Sequence, residues 1–255
     1  MKIFALGKAV YITGMLVLAV VGILAGDFIY GRPPAWQFSG NELLSILFNG
    51  LMIICCIGDY ISSKSKVYAI GIVTLLFMIN FCLRSFPDIL HEGKEGILTH
   101  NGYKILILMA GAICTAFNEF FSKNRNRSLM LCASMYSIFF LLAGRNHFKY
   151  DQFVFGFIPD YIPFHAFWTY FTGLAMIAGG VGLFFNSIRS KAALLSALMM
   201  SVFFVFLHLY RFITHNADLN ERMGLGESLA FAGGLLMIYA LQQEINYKSN
   251  SNNGL

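Results

Sequence analysis

The sequence predicts an all-α fold: a polytopic membrane helix bundle in which eight transmembrane helices form two parallel four-helix repeats. Three observations predict it. Eight apolar segments of about twenty residues fill the chain, charged residues are few, and the two halves resemble each other. A helix of that length crosses about 30 Å of hydrocarbon. The spans are expected near residues 9–25, 43–61, 67–83, 103–121, 129–144, 166–185, 192–210 and 225–242.

The composition favours a lipid bilayer over water as the surroundings of the chain. Apolar residues make up 57% of it and charged ones 12%, which leaves too little polar surface to cover a soluble domain of 255 residues. The charges are divided unevenly between alternate connections. One side carries ten Lys or Arg against three acids, and the other carries eight against ten.

This charge asymmetry predicts the orientation. Short loops rich in Lys and Arg stay in the cytoplasm, so we expect both termini there, in the cytoplasmic membrane of a bacterium. The net charge of +5 is therefore a topology signal. Because no basic face is left over, we predict no nucleic-acid partner.

The two halves match at several points. The triplet at residues 24–26, Leu-Ala-Gly, recurs at 142–144, and residues 102–116 resemble 226–240. The offsets are 118 and 124, so only small loop changes are needed. An even number of helices returns the chain to its starting side, which makes the repeats parallel. We expect a first repeat over residues 1–122, a cytoplasmic linker over 123–128, and a second repeat with a short polar tail over 129–255.

The histidines are concentrated on one side of the predicted bundle. His208 lies within the outer end of the seventh span, and His147 follows the fifth. An ionisable side chain inside a span is costly unless it faces a partner or a water-filled cavity, so His208 is the first candidate functional residue. A neutral imidazole that bonds a neighbouring helix is the alternative. All six histidines of the chain fall in the predicted outer half: His91, His100, His147, His165, His208 and His215.

The second half resembles the DoxX-like membrane proteins over roughly residues 129–242. Four motifs followed by His208 carry the resemblance: LAGRNHF at 142–148, FIPDYIP at 157–163, YFTG at 170–173 and GGVGL at 179–183. It implies a four-helix unit whose namesakes include subunits of a thiosulfate:quinone oxidoreductase. Many relatives have an acidic residue three positions before the paired glycines, where this chain has Met176.

We predict a redox-linked subunit that holds a quinone, or another small lipophilic molecule, near the outer interface. Quinone reduction consumes protons as well as electrons, and histidine both hydrogen-bonds and titrates near neutrality. His147 and His208 are therefore the candidate catalytic residues. Arginines there would stabilise an anionic ring, although snorkelling to the interface also explains them. The candidate substrate-binding residues are Arg145, Arg211, Tyr210 and Asp160.

Two other functions fit the same pattern. Parallel repeats that rock against each other suit a small-molecule transporter, but we expect few buried charges in the spans, with only Asp59 and Glu119 close to them. The second alternative function is a non-catalytic scaffold for a redox enzyme. Any redox role needs a partner protein that delivers electrons. Haem ligation by His147 and His208 is an alternative cofactor use, and no other metal site is predicted.

Glycine-rich helix faces form a further pattern in the second half. Small residues let helices approach closely, either within one chain or between the copies of an oligomer. An oligomer is therefore one of the expected partners. The faces contain Gly173, Gly179, Gly180, Gly182, Gly233 and Gly234.

Overall fold

A computed structural model describes residues 2–26, 41–61, 63–87, 90, 97–117 and 124–253. Every regular element in these residues is a helix, which confirms the all-α class. In chain order the helices are α1 (Lys2–Ala25), α2 (Asn41–Ile61), α3 (Ser63–Asn80), α4 (Ile97–Thr115), α5 (Arg125–Lys149), α6 (Asp151–Phe157), α7 (His165–Phe184), α8 (Arg189–Thr214) and α9 (Leu219–Asn253).

The described part of each predicted span overlaps a helix, but the helices differ in length. The described parts of α1, α5, α7, α8 and α9 are long and apolar enough to cross a membrane. The other three, α2, α3 and α4, hold shorter apolar stretches at Glu42–Gly58, Gly71–Leu83 and Asn101–Thr115. The short helix α6, which the sequence does not predict, joins α5 to α7.

Helices α5 and α9 extend beyond both of their predicted boundaries. Helix α5 begins at Arg125, inside the predicted linker, and continues to Lys149, so His147 lies inside the helix and not after it. Helix α9 starts at Leu219 and runs through most of the predicted polar tail to Asn253. The polar residues at the ends of these helices remain helical, because the hydrogen bonds of a helix join backbone groups and do not require apolar side chains.

The third helix of each predicted repeat contains a π-helical turn. In the first half, Phe81–Ser85 continues α3, and the N–H of Phe86 donates to the carbonyl of Phe81. In the second half, Phe204–His208 interrupts α8, and the N–H of Leu209 donates to the carbonyl of Phe204. Such turns are rare and occur often at functional sites.

The two halves pack through their outermost helices. Helix α1 packs along α9, and α5 packs on α4, so the first helix of each half contacts the fourth helix of the other. A Cβ on Gly14 of α1 would lie 2.6 Å from the carbonyl oxygen of Gly226, so only small residues permit this approach. A two-fold relation between the halves requires this reciprocal pairing, while the division into repeats stays a prediction.

The glycine-rich faces of the second half are covered within the chain. Gly173 and Gly180 of α7 meet α5, and Gly179 meets Ser196 of α8. Gly234 of α9 lies against the phenol of Tyr136. The close packing that these glycines permit is therefore used inside the bundle.

Candidate functional site

A cavity of about 1200 Å³ opens between the ends of α5, α7 and α8 and the beginning of α9. Helix α6 and the segment after it form one wall, and α4 contributes Asn101 and Lys104. Most of the surface is aromatic or apolar, as in the pockets that bind small lipophilic molecules. The large apolar side chains include Phe139, Phe157, Trp168, Met176, Phe203 and Phe206.

His147 lines this cavity from the last turn of α5. Its Nδ1 lies 3.0 Å from the carbonyl oxygen of Thr169 and 3.1 Å from Oγ1 of Thr172. The Thr172 hydroxyl donates to the carbonyl of Trp168 at 2.7 Å, so Nδ1–H of His147 is the donor to Thr169. Because Nδ1 carries the proton, Nε2 is the acceptor of the neutral ring.

Gly173 explains how α7 approaches His147 so closely. A Cβ at this position would lie 2.7 Å from the Cβ of His147 and 3.2 Å from the carbonyl oxygen of Gly144. The glycine therefore lets the backbone of α7 reach the imidazole. This contact gives the motif at residues 170–173 a structural role.

His208 lines the same cavity from the π-helical turn of α8. Its ring meets that of Phe157 edge to face, with centroids 6.4 Å apart. The turn widens the helix at this point, and Phe206, Leu207 and His208 all reach the cavity wall. The structure thus brings His147 and His208 from different helices to one space.

Arg211, one turn beyond His208, is held by a carboxylate of α9. Its Nε and Nη2 donate to Oε1 of Glu221 at 2.9 and 2.6 Å, and Nη1 donates to the carbonyl of Phe157 at 3.1 Å. The guanidinium also lies 3.9 Å from the centroid of the Phe157 ring. Glu221 is 2% exposed, so the pair is a buried link between α6, α8 and α9. The sequence predicts that Arg211 binds an anionic ligand, but in the structure Glu221 already neutralises its charge.

A second ion pair also lines the cavity, and both of its side chains are buried. Nζ of Lys104 in α4 is 3.0 Å from Oε2 of Glu227 in α9. The two side chains are 8% and 5% exposed, and both residues line the cavity. They join the fourth helices of the two predicted repeats.

The remaining candidate residues lie elsewhere. Tyr210 packs its ring on Tyr161, with centroids 4.8 Å apart, away from the cavity wall, and Asp160 is exposed. Arg145 is half-buried on α5 and also lies outside the described lining. Among the other histidines, His165 and His215 do not line the cavity, while His91 and the side chain of His100 lie outside the described residues.

Three charged residues of the site are not among those predicted from the sequence. The expectation that only Asp59 and Glu119 come close to being buried charges in the spans is wrong, because Lys104 and Glu227 are buried within predicted spans. Glu221 is buried just before the eighth span. Lys104 and Glu227 fall within predicted spans, and a charge at such a position is itself a signal of function. Glu119 and the side chain of Asp59, which were expected instead, lie outside the described residues.

A polar cluster of a different kind lies where α8 begins. Arg189 is 1% exposed and donates only to neutral oxygen atoms among the described residues. Gln242 of α9, which is fully buried, accepts at 2.8 Å. The cluster therefore ties the near ends of α5, α7, α8 and α9 together. The other acceptors are the carbonyls of Leu183 and Phe184 and the side chains of Asn126 and Asn186.

Comparison with known proteins adds one family. Residues 136–223 match a domain of unknown function, DUF8561. The matched stretch runs from the middle of α5 to the first turns of α9 and so includes His147, His208, Arg211 and Glu221. No curated protein and no solved structure matches the chain.

Proposed function

We propose that the protein is an eight-span membrane protein that binds a quinone, or a small lipophilic molecule of similar shape, as a redox-linked subunit. One observation carries the proposal: His147 and His208 meet at a cavity of about 1200 Å³ with a mainly aromatic and apolar wall. A quinone combines a flat ring and an apolar tail with two polar oxygens. The cavity offers matching surfaces for each part.

The position of the cavity supports access from the bilayer. It lies at the ends of α5, α7 and α8 that the distribution of Lys and Arg assigns to the outer side. Phe167 and Phe171 of α7 are large exposed aromatic side chains, and each is adjacent in sequence to a residue that lines the cavity. A ligand with an apolar tail would partition into the membrane and reach the site from there. The DoxX-like motifs support the same class of ligand.

The binding test uses the fluorescence of Trp168, which lines the cavity. The chain has two tryptophans, so Trp36→Phe isolates the signal. We expect decyl-benzoquinone to quench Trp168 in the purified protein, and His208→Ala to weaken binding about tenfold, the value of one hydrogen bond of about 1.4 kcal/mol. His215→Ala is the matched control, because His215 is exposed and outside the cavity. If decyl-benzoquinone does not quench Trp168, or if His208→Ala binds it as tightly as the unaltered protein, the assignment of this cavity as the quinone site is wrong.

A transporter is the second candidate, and two observations favour it. The buried pair Lys104–Glu227 lies between the two predicted repeats, and the halves pack reciprocally through their first and fourth helices. Buried charges between repeats are typical of substrate pathways. Uptake of a solute into proteoliposomes that stops in Glu227→Gln would favour transport over quinone binding.

Two further hypotheses, a scaffold function and haem ligation, have direct tests. Recovery of a redox enzyme in mild detergent would support the scaffold function. A Soret band in the absorption spectrum of the purified protein would indicate haem on the histidine pair.

A further inference from the structure

The ionisable groups of the cavity differ in what they can still bind. The two cations already contact carboxylates: Lys104 with Glu227 at 3.0 Å, and Arg211 with Glu221 at 2.6 Å. A ligand that carries negative charge would therefore have to compete with an existing carboxylate for either cation. The acceptors of the cavity, in contrast, are not all used.

His147 supplies the first acceptor. Its Nδ1–H is committed to the carbonyl of Thr169, so the neutral ring offers Nε2, which makes no hydrogen bond within the described part of the chain. An imidazole held in this tautomer accepts from a hydroxyl and cannot donate to a carbonyl oxygen without binding a second proton. The anchor on Thr169 thus sets the direction of the hydrogen bond.

Glu221 supplies the second acceptor. Both contacts from Arg211 fall on Oε1, and Oε2 has no hydrogen-bond partner among the described residues. The residue is 2% exposed and lines the cavity. A buried carboxylate oxygen without a donor is costly, and the hydroxyl of a bound molecule would satisfy it.

We propose that the cavity selects a ligand with phenolic hydroxyl groups, such as the hydroquinone form of a quinone, over one that presents only carbonyl or ether oxygens. The proposal rests on the proposed function and names the ligand form that the same site prefers. The hydroxyls donate to Nε2 of His147 and to Oε2 of Glu221. Tighter binding of the hydroquinone raises the midpoint potential of the bound two-electron couple by about 30 mV for each tenfold preference.

The test compares decyl-hydroquinone with its dimethyl ether, which has the same ring and tail but no hydroxyl donor. Calorimetry on the purified protein under anaerobic conditions measures each affinity, and competition against the quenching of Trp168 by decyl-benzoquinone places both in the cavity. We expect the ether to bind at least about tenfold more weakly than the hydroquinone. Equal affinities overturn the proposal while leaving quinone binding intact. If neither compound nor the benzoquinone binds, the proposed function fails as well.

Two variants assign the preference to its acceptors. His147→Leu and Glu221→Gln should each reduce the gap between the hydroquinone and its ether, whereas His215→Leu should leave it unchanged. Because Glu221→Gln also loses the charge that holds Arg211, its folding is checked by size exclusion, and His147→Leu keeps the test independent of that pair. A gap that persists unchanged in both folded variants overturns the assignment of these two acceptors.

Discussion

The two ends of the second half bury positive charge in opposite ways. Where α8 begins, Arg189 is 1% exposed and is surrounded by carbonyl and amide oxygens from several helices. Near the other end of α8, Arg211 contacts the carboxylate of Glu221 beside a large cavity. The first arrangement uses a cation to fasten helix ends. The second neutralises the cation and leaves a carboxylate oxygen and an imidazole nitrogen for another molecule.

The difference shows how a helix bundle can separate stability from binding. The guanidinium of Arg189 donates to neutral acceptors, and the residue is 1% exposed. At the cavity end, packing is incomplete and the paired charges lie next to open space. Variants at the first end should therefore change stability, and variants at the second should change ligand binding as well.

The largest effect is expected for Arg189→Leu. The substitution leaves the buried oxygen of Gln242 and several backbone carbonyls without a donor, each at a cost of about 1–3 kcal/mol. We expect a strong fall in thermal stability in detergent and little change in the affinity of the surviving folded protein for decyl-benzoquinone. Lys191→Ala, two residues away and exposed, is the control. A stable Arg189→Leu protein would refute the fastening role.

A smaller but still large effect is expected for Lys104→Met. It leaves the carboxylate of Glu227 buried without its cation, which costs about 3 kcal/mol or more. The double variant Lys104→Met with Glu227→Met should regain most of the lost stability, because no charge is then left unpaired. Thermal unfolding of the two single variants and the double variant measures this recovery. Additive losses would show that the two side chains act independently.

The smallest effect is expected for Arg211→Lys. Lysine keeps the charge and one donation to Oε1 of Glu221, but it loses the second donation, the bond to the carbonyl of Phe157 and the stacking on its ring. We expect a loss of about 1–2 kcal/mol in stability and a weaker grip on α6. Melting temperature and the affinity for decyl-benzoquinone report the two consequences. Unchanged values for both would mean that α6 does not depend on this contact.

Much of the fold follows from local features of the sequence. The apolar segments predict where helices lie, because backbone groups in an apolar setting must bond within the helix. A motif at the end of the fifth span contains His147, and His208 is an ionisable residue inside the seventh span; both line one cavity. The lengths of α5 and α9 were underestimated, since the helices continue past their apolar residues.

The charged parts of the site were harder to predict. Lys104 and Glu227 are 123 positions apart, and the sequence around each residue does not predict which residue it contacts. Arg211 could be selected as an arginine near the predicted outer interface, but its contact with Glu221 depends on how α8 packs against α9. Such pairings are decided by helix packing, which a single sequence does not specify.

The π-helical turn of α8 contains one more residue per turn than an α-helix. The side chains that α8 presents to the cavity therefore depend on the number of residues in this turn. Each residue of an α-helix rotates the side chains that follow by about 100°. Removing one residue from Phe204–His208 would swing the terminal portion of α8 away from α9 and separate Arg211 from Glu221. Deleting that single residue would therefore remove the paired charges from a mainly apolar cavity without substituting any of the side chains that line it.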